Sequence, residues 1–313
     1  MLAIPYLEVS MSEQSQLAVV TGASSGIGEA TVRALAARGF HVLAGVRREA
    51  DGDQLSGQSI EPIILDITDP AHVAEIAERV EQDPYGRRLG ALVNNAGIAV
   101  NGPVEGIPMD EWRRQFEVNF FGHVAVTQAL LPALLAAGGR VVNVSSIGGR
   151  VAAPTFGAYA ASKFALEAVS DVLRREVGRL GVQVIVIEPG TVATRIWGKG
   201  LAAAQELAAK MSVAQLTRYR DLLEAATKRA QALERSGIDP ADAARVIADA
   251  IEARKPRARY LVGRDAKLMA RMAGLLPDRL VDRLIARDLG LGEPDASAVV
   301  AERPHPASKP ALR

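Results

Sequence analysis

The chain has 313 residues, of which 37 are Lys or Arg, 36 are Asp or Glu, none is Cys and 49% are hydrophobic. This composition is typical of a globular protein whose core is large enough to be stable without disulfides or a structural metal. The absence of cysteine excludes thiolate catalysis and cysteine-ligated zinc, and it favours a reducing compartment such as the cytoplasm. A net charge of +1 leaves no basic excess for a nucleic-acid backbone, so we expect no nucleic-acid partner.

The two ends of the chain differ in composition from the rest. Residues 1–14 lack a basic segment and contain Glu8, so they predict a flexible extension rather than a signal peptide. Residues 293–313 are rich in proline and lack apolar periodicity, which predicts a disordered tail. We therefore expect a single domain over residues 15–292.

Short apolar segments rich in β-branched residues alternate with helical patterns along this domain. The candidate strands are residues 17–20, 41–46, 60–67, 91–93, 140–144, 182–187 and 260–262. A helix is clearest after Asp69 and Pro70, where Val73, Ile76 and Val80 recur at helical spacing. The alternation predicts an α/β fold: a doubly wound parallel sheet of about seven strands with helices on both faces. Ligands of such folds bind beyond the carboxyl ends of the strands.

A glycine-rich turn, residues 21–28, connects the first strand to the first helix. Glycines at such a turn allow the backbone to approach a pyrophosphate, which rests on the helix N-terminus. A tight turn alone would also use glycines, but the position in the first strand–helix unit favours a dinucleotide site. The candidate phosphate-binding residues are Gly22, Ser24, Ser25, Gly26, Ile27 and Gly28.

The second and third strands end in residues that bear on the choice of nucleotide. Arg47 follows the second strand with no acid before Glu49, and an arginine there suits a ribose 2′-phosphate. This pattern favours NADP(H), with NAD(H) possible, although Arg47 could equally be a solvated loop residue. Asp66, with Ile67, is placed to contact the adenine, but Asp66 could instead cap the following helix.

Residues 118–139 carry no formal charge over a length that could span a bilayer. Polar residues and a proline interrupt the stretch, so we expect a buried or interface helix and no transmembrane segment. The interruptions are Asn119, His123, Thr127, Gln128 and Pro132.

Ser146 at the end of the fifth strand precedes Tyr159 and Lys163, which lie four residues apart on one helical face. Hydride exchange with an alcohol carbon requires a proton partner on the oxygen, and a phenol with a pKa near 10 is a weak base at neutral pH. Lowering that pKa by about three units needs roughly 4 kcal/mol, which Lys163 and an oxidised nicotinamide could supply. Ser146 would donate to the substrate oxygen. Each residue alone could be structural; the combination with the glycine turn favours catalysis.

The chain resembles the short-chain dehydrogenase/reductase family from about residue 17 to residue 263. The matching residues are the turn 21–28, Asp66, Asn94, Asn95, Ala96, Gly97, Asn119, Ser146, Tyr159, Lys163, Pro189, Gly190 and Thr194. The resemblance implies a Rossmann-type fold in which Tyr159 is the acid/base and Ser146 polarises the substrate oxygen. It also implies that Lys163 tunes Tyr159 and holds the cofactor ribose, and that Asn119 keeps a helix kinked and a proton-relay water in place.

The same resemblance implies further cofactor contacts. Asn95, Ala96 and Gly97 would support the adenine ribose side and the central strand. Residues 189–194, which begin with Pro189 and Gly190, would lie along the nicotinamide, with Val192 and Thr194 near its carboxamide. Residues 118–122, 145–149 and 162–167 look like the branch that contains 17β-hydroxysteroid and retinol dehydrogenases.

Residues 191–237 leave the strand–helix alternation and predict a lid with many apolar side chains. These side chains either form a wall for a bulky lipophilic alcohol, ketone or aldehyde, or only pack the lid on the core. The alternatives are a 3-oxoacyl thioester substrate, and a redox sensor that binds NADP(H) without catalysis.

We expect a homodimer or homotetramer, because the helices at 118–135 and around Tyr159 have more apolar surface than packing on one face of the sheet requires. No metal is expected, since the four histidines show no ligand spacing.

Overall fold

The computed structural model describes residues 15–55 and 57–291. The predicted N-terminal extension, 1–14, and C-terminal tail, 293–313, lie outside the described residues. Seven parallel strands form one sheet in the order β3-β2-β1-β4-β5-β6-β7. The strands are β1 Leu17–Val20, β2 His41–Val46, β3 Ile60–Ile64, β4 Leu89–Asn94, β5 Arg140–Val144, β6 Gln183–Pro189 and β7 Arg259–Val262.

The sequence predicted seven parallel strands, and this prediction is confirmed. Three strands match the predicted bounds, whereas β3 ends at Ile64 and β6 continues to Pro189. The central strands are buried on both faces because helices cover each side of the sheet.

Helices connect every pair of successive strands, and two more described helices follow β7. They are α1 Gly26–Ala37, α2 Glu49–Asp53, α3 Pro70–Glu81, α4 Met109–Phe116, α5 Gly122–Ala137, α6 Gly157–Val177, α7 Ile196–Ala208, α8 Val213–Ser236, α9 Pro240–Glu252, α10 Arg264–Leu275 and α11 Asp278–Asp288. The predicted helix α3 begins as expected, with Pro70 in its first turn and the Asp69 side chain accepting from Ala71 N at 2.9 Å.

The core lies in two layers, one on each face of the sheet. On one face, α1 and α9 contribute Leu35 and Ile247, both fully buried. On the other, α3 and α5 contribute Ile76 and Leu130.

Strand β1 lies between β2 and β4, so the chain leaves the neighbouring strands β1 and β4 in opposite directions. Such a point in a doubly wound sheet opens a crevice at the carboxyl ends of the strands.

A π-helical turn, Glu117–Phe121, joins α4 to α5, so that residues Met109–Ala137 form one long helical stretch. By length and composition this stretch could cross a membrane, and 33% of its most apolar 18-residue segment is buried. Core helices have the same composition, and Val126, Leu130 and Leu134 of α5 pack in the core. The apolar character of α5 is therefore explained at least partly by its contact with the sheet.

The predicted lid contains α7 and α8. Helix α8 begins with a capping box in which Ser212 and Gln215 bond reciprocally. An isolated bridge between Val192 and Ile238 brings the two ends of the lid together beside β6. Of the apolar lid residues, Leu207 and Met211 are buried against the core, whereas Val213 is exposed.

Candidate active site

The glycine turn after β1 has a geometry that only glycine accepts. Gly22 and Gly26 adopt φ values of +65° and +61°. A Cβ on Gly28 would lie 2.2 Å from the Gly22 carbonyl oxygen and 2.5 Å from Asn95 Nδ2. Within the described chain, the Ser25 side chain makes no capping hydrogen bond, so it does not occupy the N–H groups of the first turn of α1. This turn fits a pyrophosphate resting on the N-terminus of α1.

The turn after β4 is bonded to the glycine turn. Thr21 Oγ1 accepts from the backbone N–H groups of Asn95 and Ala96, both at 3.0 Å. The Asn95 amide in turn donates to the carbonyl oxygens of Thr21 and Gly22 at 3.0 and 3.1 Å. The predicted residues Asn95 and Ala96 thus lie at the phosphate turn and hold it in shape, and Gly97 follows them.

Arg47 and Asp66 lie at the side of the crevice where the adenosine is expected. Arg47 is exposed after β2, whereas the neighbouring Arg48 pairs with Asp51 at 2.9 Å. Burial raises the pKa of Asp66, but hydrogen bonds from Thr68 and the charge of Arg47 outweigh it and leave the pKa below its usual range. Asp66 Oδ1 therefore accepts a hydrogen bond from Thr68 N at 3.0 Å within the turn after β3. Arg47 is close enough for its charge to lower the pKa of Asp66.

Ser146, Tyr159 and Lys163 meet where β5 ends against α6. Ser146 Oγ accepts from Gly148 N at 3.0 Å, and a Cβ on Gly148 would lie 3.4 Å from Ser146 Oγ and 3.2 Å from Tyr159 Cε1, so the two side chains are neighbours. Lys163 is buried; its Nζ donates to the Val144 carbonyl oxygen at 2.8 Å and lies 5.9 Å from the centre of the Tyr159 ring. The structure thus brings together the three residues that the sequence singled out.

The protonation states of this group differ from the simplest expectation. Burial raises the pKa of Tyr159, and the neighbouring Ser146 hydroxyl only partly offsets this. Burial also lowers the pKa of Lys163 to about 8, which the charge of Glu167 counteracts. The lowering of the Tyr159 pKa by Lys163 together with an oxidised nicotinamide stays a prediction for the cofactor-bound protein. Tyr159 is a proton donor at neutral pH in this state.

Asn119 lies in the π-helical turn and is fully buried. Its Oδ1 accepts from Ile98 N at 2.9 Å, and its Nδ2 donates to Ile98 O at 3.0 Å. One turn later, His123 Nε2 is 2.7 Å from the Ala96 carbonyl oxygen. Burial, with a contribution from Lys163, lowers the His123 pKa to about 3, so the imidazole is neutral.

His123 was not predicted as a site residue, because the sequence indicated it only as a polar interruption of the apolar stretch 118–139 and as one of four histidines without metal-ligand spacing. Its spacing of four from Asn119, within an apolar helix, is the signal that could have identified it. Among residues 15–55 and 57–291, no group of three or more His, Asp or Glu side chains could hold a metal ion.

The segment after β6 crosses the crevice from the phosphate turn to the lid. A Cβ on Gly26 would lie 3.0 Å from Thr194 Cγ2, so Thr194 is next to the phosphate turn. Trp197 Nε1 donates to the Val192 carbonyl oxygen at 2.8 Å. Asp265, which the sequence did not indicate, fixes the start of this segment by accepting from Thr191 N at 2.6 Å.

Aromatic rings pack next to Tyr159. The Phe156 ring is packed edge-on against Tyr159 at 6.3 Å and against Trp197 of the lid at 6.4 Å. Such rings offer apolar surface next to the hydroxyl group of Tyr159. The arrangement can donate a proton to an oxygen atom on a substrate with an apolar body.

Comparison with known proteins agrees with this geometry. The sequence model of the short chain dehydrogenase family matches residues 16–205. The chain belongs to the short-chain dehydrogenase/reductase family. It is therefore an NAD(P)-dependent oxidoreductase with a Rossmann-type fold.

Similar proteins include an NADPH-dependent 3-dehydrocapnine reductase from Ornithobacterium rhinotracheale, 36% identical over 87% of this chain and 96% of the relative. Human retinol dehydrogenase 5 is also 36% identical, over 88% and 89% of the two chains. Among solved structures, a short-chain dehydrogenase from Streptomyces avermitilis has a TM-score of 0.72 and 34% identity, over 89% of this chain and 98% of that one. One from Burkholderia cenocepacia, in complex with NADP, has a TM-score of 0.66 and 28% identity, over 88% and 98%.

Proposed function

We propose that this protein is an NADP(H)-dependent oxidoreductase that interconverts a bulky apolar alcohol and its ketone or aldehyde, with Tyr159 as the acid/base. The observation that carries the proposal is the position of the Tyr159 hydroxyl. A Cβ on Gly148 would lie 3.4 Å from Ser146 Oγ and 3.2 Å from Tyr159 Cε1, so the two side chains are neighbours. Burial raises the pKa of Tyr159, and Phe156 packs between the Tyr159 ring and Trp197 of the lid.

When bound, NADPH would supply the hydride that the carbonyl carbon accepts in the reducing direction. Ser146 donates a hydrogen bond to the carbonyl oxygen as negative charge develops on it. Tyr159 transfers its proton to that oxygen, and the protonated Lys163 stabilises the phenolate that remains. Asn119 keeps the loop at Ile98 in place beside this group. Alcohol oxidation uses the same residues in reverse.

The proposed cofactor site uses the residues predicted from the sequence. The phosphates would rest on the glycine turn, and Lys163 would hold the nicotinamide ribose. The exposed Arg47, with no acid at the end of β2, supports a preference for the 2′-phosphate of NADP(H) over NAD(H). The NADPH-dependent relative and the NADP-bound structural neighbour support the same preference.

The aromatic rings and the relatives together support an apolar substrate. Phe156 and Trp197 offer flat apolar surface, and the relatives include retinol dehydrogenase 5 and mouse estradiol 17-beta-dehydrogenase 2. A steroid- or retinoid-like alcohol or carbonyl compound is therefore the substrate class that we propose.

The exposed apolar residues Phe121, Phe164 and Val172 support self-association as a homodimer or homotetramer. We place the protein in the cytoplasm on its lack of cysteine.

The test is to follow the absorbance of NADPH and NADH at 340 nm with the purified protein. The substrates would be matched steroid, retinoid and 3-oxoacyl thioester compounds, with small polar ketones as controls. We expect turnover with the apolar carbonyl compounds and a higher kcat/KM for NADPH. If the 3-oxoacyl thioester is turned over preferentially, the proposed steroid- or retinoid-like substrate class is wrong and the thioester takes its place. NADPH binding without turnover of any compound would favour a redox sensor and contradict the proposed enzyme activity.

A further inference from the structure

The segment that follows β6, residues 190–194, runs between the phosphate turn and the lid. At its end, Thr194 lies against the phosphate turn, because a Cβ on Gly26 would lie 3.0 Å from Thr194 Cγ2. In its middle, Ala193 N donates to the Ile238 carbonyl oxygen at 2.9 Å, where the lid ends. A backbone bond and an apolar contact thus hold the middle and the end of the segment, whereas its start depends on a side chain.

That side chain is Asp265, in the first turn of α10. Asp265 Oδ2 accepts from Thr191 N at 2.6 Å, although the two residues are 74 positions apart. A Cβ on Gly190 would lie 2.3 Å from Asp265 Oδ1. A Cβ on Gly263, which has a φ of +101°, would lie 2.4 Å from the same atom. The carboxylate therefore fills the space that these two glycines leave open.

Thr191 N is the first backbone donor beyond the sheet. The preceding residue, Gly190, still donates to the Val262 carbonyl oxygen of β7 at 2.8 Å. Among the described residues, Thr191 N has no hydrogen-bond partner other than Asp265. The carboxylate thus fixes the direction in which the chain leaves β6.

An acid in the first turn of a helix can also serve only its own helix, by interacting with the helix dipole. Asp278, exposed in the first turn of α11, is such a residue. Asp265, by contrast, is partly buried and accepts from a donor outside its helix. This geometry indicates a role for Asp265 outside α10.

The proposed cofactor would pass along the segment that Asp265 holds. The pyrophosphate fits the phosphate turn and the proton donor is Tyr159, so the nicotinamide half must lie between them. Thr194 lies at the phosphate turn, and Trp197, three residues later, packs on Phe156, whose ring packs on Tyr159. The adenosine half would lie elsewhere, at the ends of β2 and β3.

We propose that Asp265 is a positioning residue whose carboxylate holds residues 190–194 in the shape that accepts the nicotinamide half of NADP(H). Without the carboxylate, Thr191 N loses its partner and the start of the segment can move relative to β6. Only a fraction of the molecules then has the segment in the binding conformation, and the affinity for the cofactor falls by that fraction. This role rests on the proposed cofactor site and is independent of the substrate.

The test compares the binding of NADPH with that of adenosine 2′,5′-bisphosphate, which has the adenosine and its 2′-phosphate but no nicotinamide. Both dissociation constants are measured by titration calorimetry for the parent, D265A and D278A. Asp278 is the matched control, since it is also an acid in the first turn of a helix. In D265A we expect the dissociation constant for NADPH to rise about tenfold, as for a binding-competent fraction of about one tenth. That for the bisphosphate should stay within about twofold, and D278A should change neither.

A second measurement needs no cofactor. Amide hydrogen exchange at Thr191 N, followed by NMR in the cofactor-free protein, reports whether the start of the segment is held. We expect exchange about tenfold faster in D265A than in the parent, and unchanged exchange in D278A. If D265A does not fold, D265S takes its place, because the serine hydroxyl is one bond too short to reach Thr191 N, and the same results are expected.

Equal weakening of NADPH and bisphosphate binding in D265A would overturn the inference, because Asp265 would then support the fold as a whole. So would unchanged NADPH binding or unchanged exchange at Thr191 N. If Y159F retained normal turnover, the proposed function would fail, but the comparison of the two ligands would still decide the role of Asp265.

Discussion

Replacing Asn119 by alanine tests how the π-helical turn is held beside the catalytic group. The Asn119 side chain is fully buried and makes two hydrogen bonds of 2.9 and 3.0 Å to the backbone of Ile98. In Asn119→Ala the Ile98 N–H loses its partner, whereas the Ile98 carbonyl oxygen keeps a hydrogen bond of 3.0 Å from Gln115. An unsatisfied buried donor costs about 1–3 kcal/mol, and the lost hydrogen bond about 1 kcal/mol more.

We therefore expect Asn119→Ala to lower the free energy of unfolding by about 3 kcal/mol, measured by urea denaturation at equilibrium. Asn101→Ala is the control, since within the described chain the Asn101 Oδ1 is buried without a hydrogen-bond partner. That variant should change the free energy by less than about 1 kcal/mol. A loss below about 0.5 kcal/mol in Asn119→Ala would refute the reasoning that these bonds hold the turn.

Two further predictions concern the cofactor. Arg47→Asp should weaken NADPH binding much more than NADH binding, whereas Arg48→Asp should not discriminate between them, because Arg48 pairs with its own loop. Equal losses for both cofactors in Arg47→Asp, measured by calorimetry, would show that Arg47 is only a solvated loop residue. Gly28→Ala should abolish cofactor binding and lower the melting temperature, because the new Cβ would lie 2.2 Å from a carbonyl oxygen. Gly178→Ala is its control, with no described heavy atom within 4 Å, and a melting curve of Gly28→Ala like that of Gly178→Ala would contradict the prediction.

Most of the fold was predictable because its signals are local. Parallel strands buried on both faces appear as short apolar segments, and α3 has both its cap and its periodicity in the sequence. The three residues at the end of β5 and on α6 were predictable because their spacing and the helical period place them together.

The pattern of the apolar residues 118–139 alone predicts a regular helix, and only the family resemblance indicated a kink at Asn119, where the structure has the π-helical turn. The turn contains Asn119, whose hydrogen bonds reach Ile98, 21 positions earlier. The hydrogen bond between Arg259 and Glu167 could not be predicted either, since the two residues are 92 positions apart and the sequence pattern of each is typical of a surface residue. Long-range pairs of this kind depend on the order of the strands, which a local pattern does not contain.

The proton transfer by Tyr159 is tested most directly by Tyr159→Phe, which removes only the hydroxyl group. Tyr219→Phe is the matched control, because the hydroxyl of Tyr219, on lid helix α8, bonds to the exposed Glu105 of the turn before α4. The measurement is the kcat for an accepted apolar carbonyl compound, together with the dissociation constant for NADPH. We expect Tyr159→Phe to lose turnover while binding NADPH nearly as well as the parent, and Tyr219→Phe to keep both. Retention of most of the turnover in Tyr159→Phe would contradict the proposed mechanism.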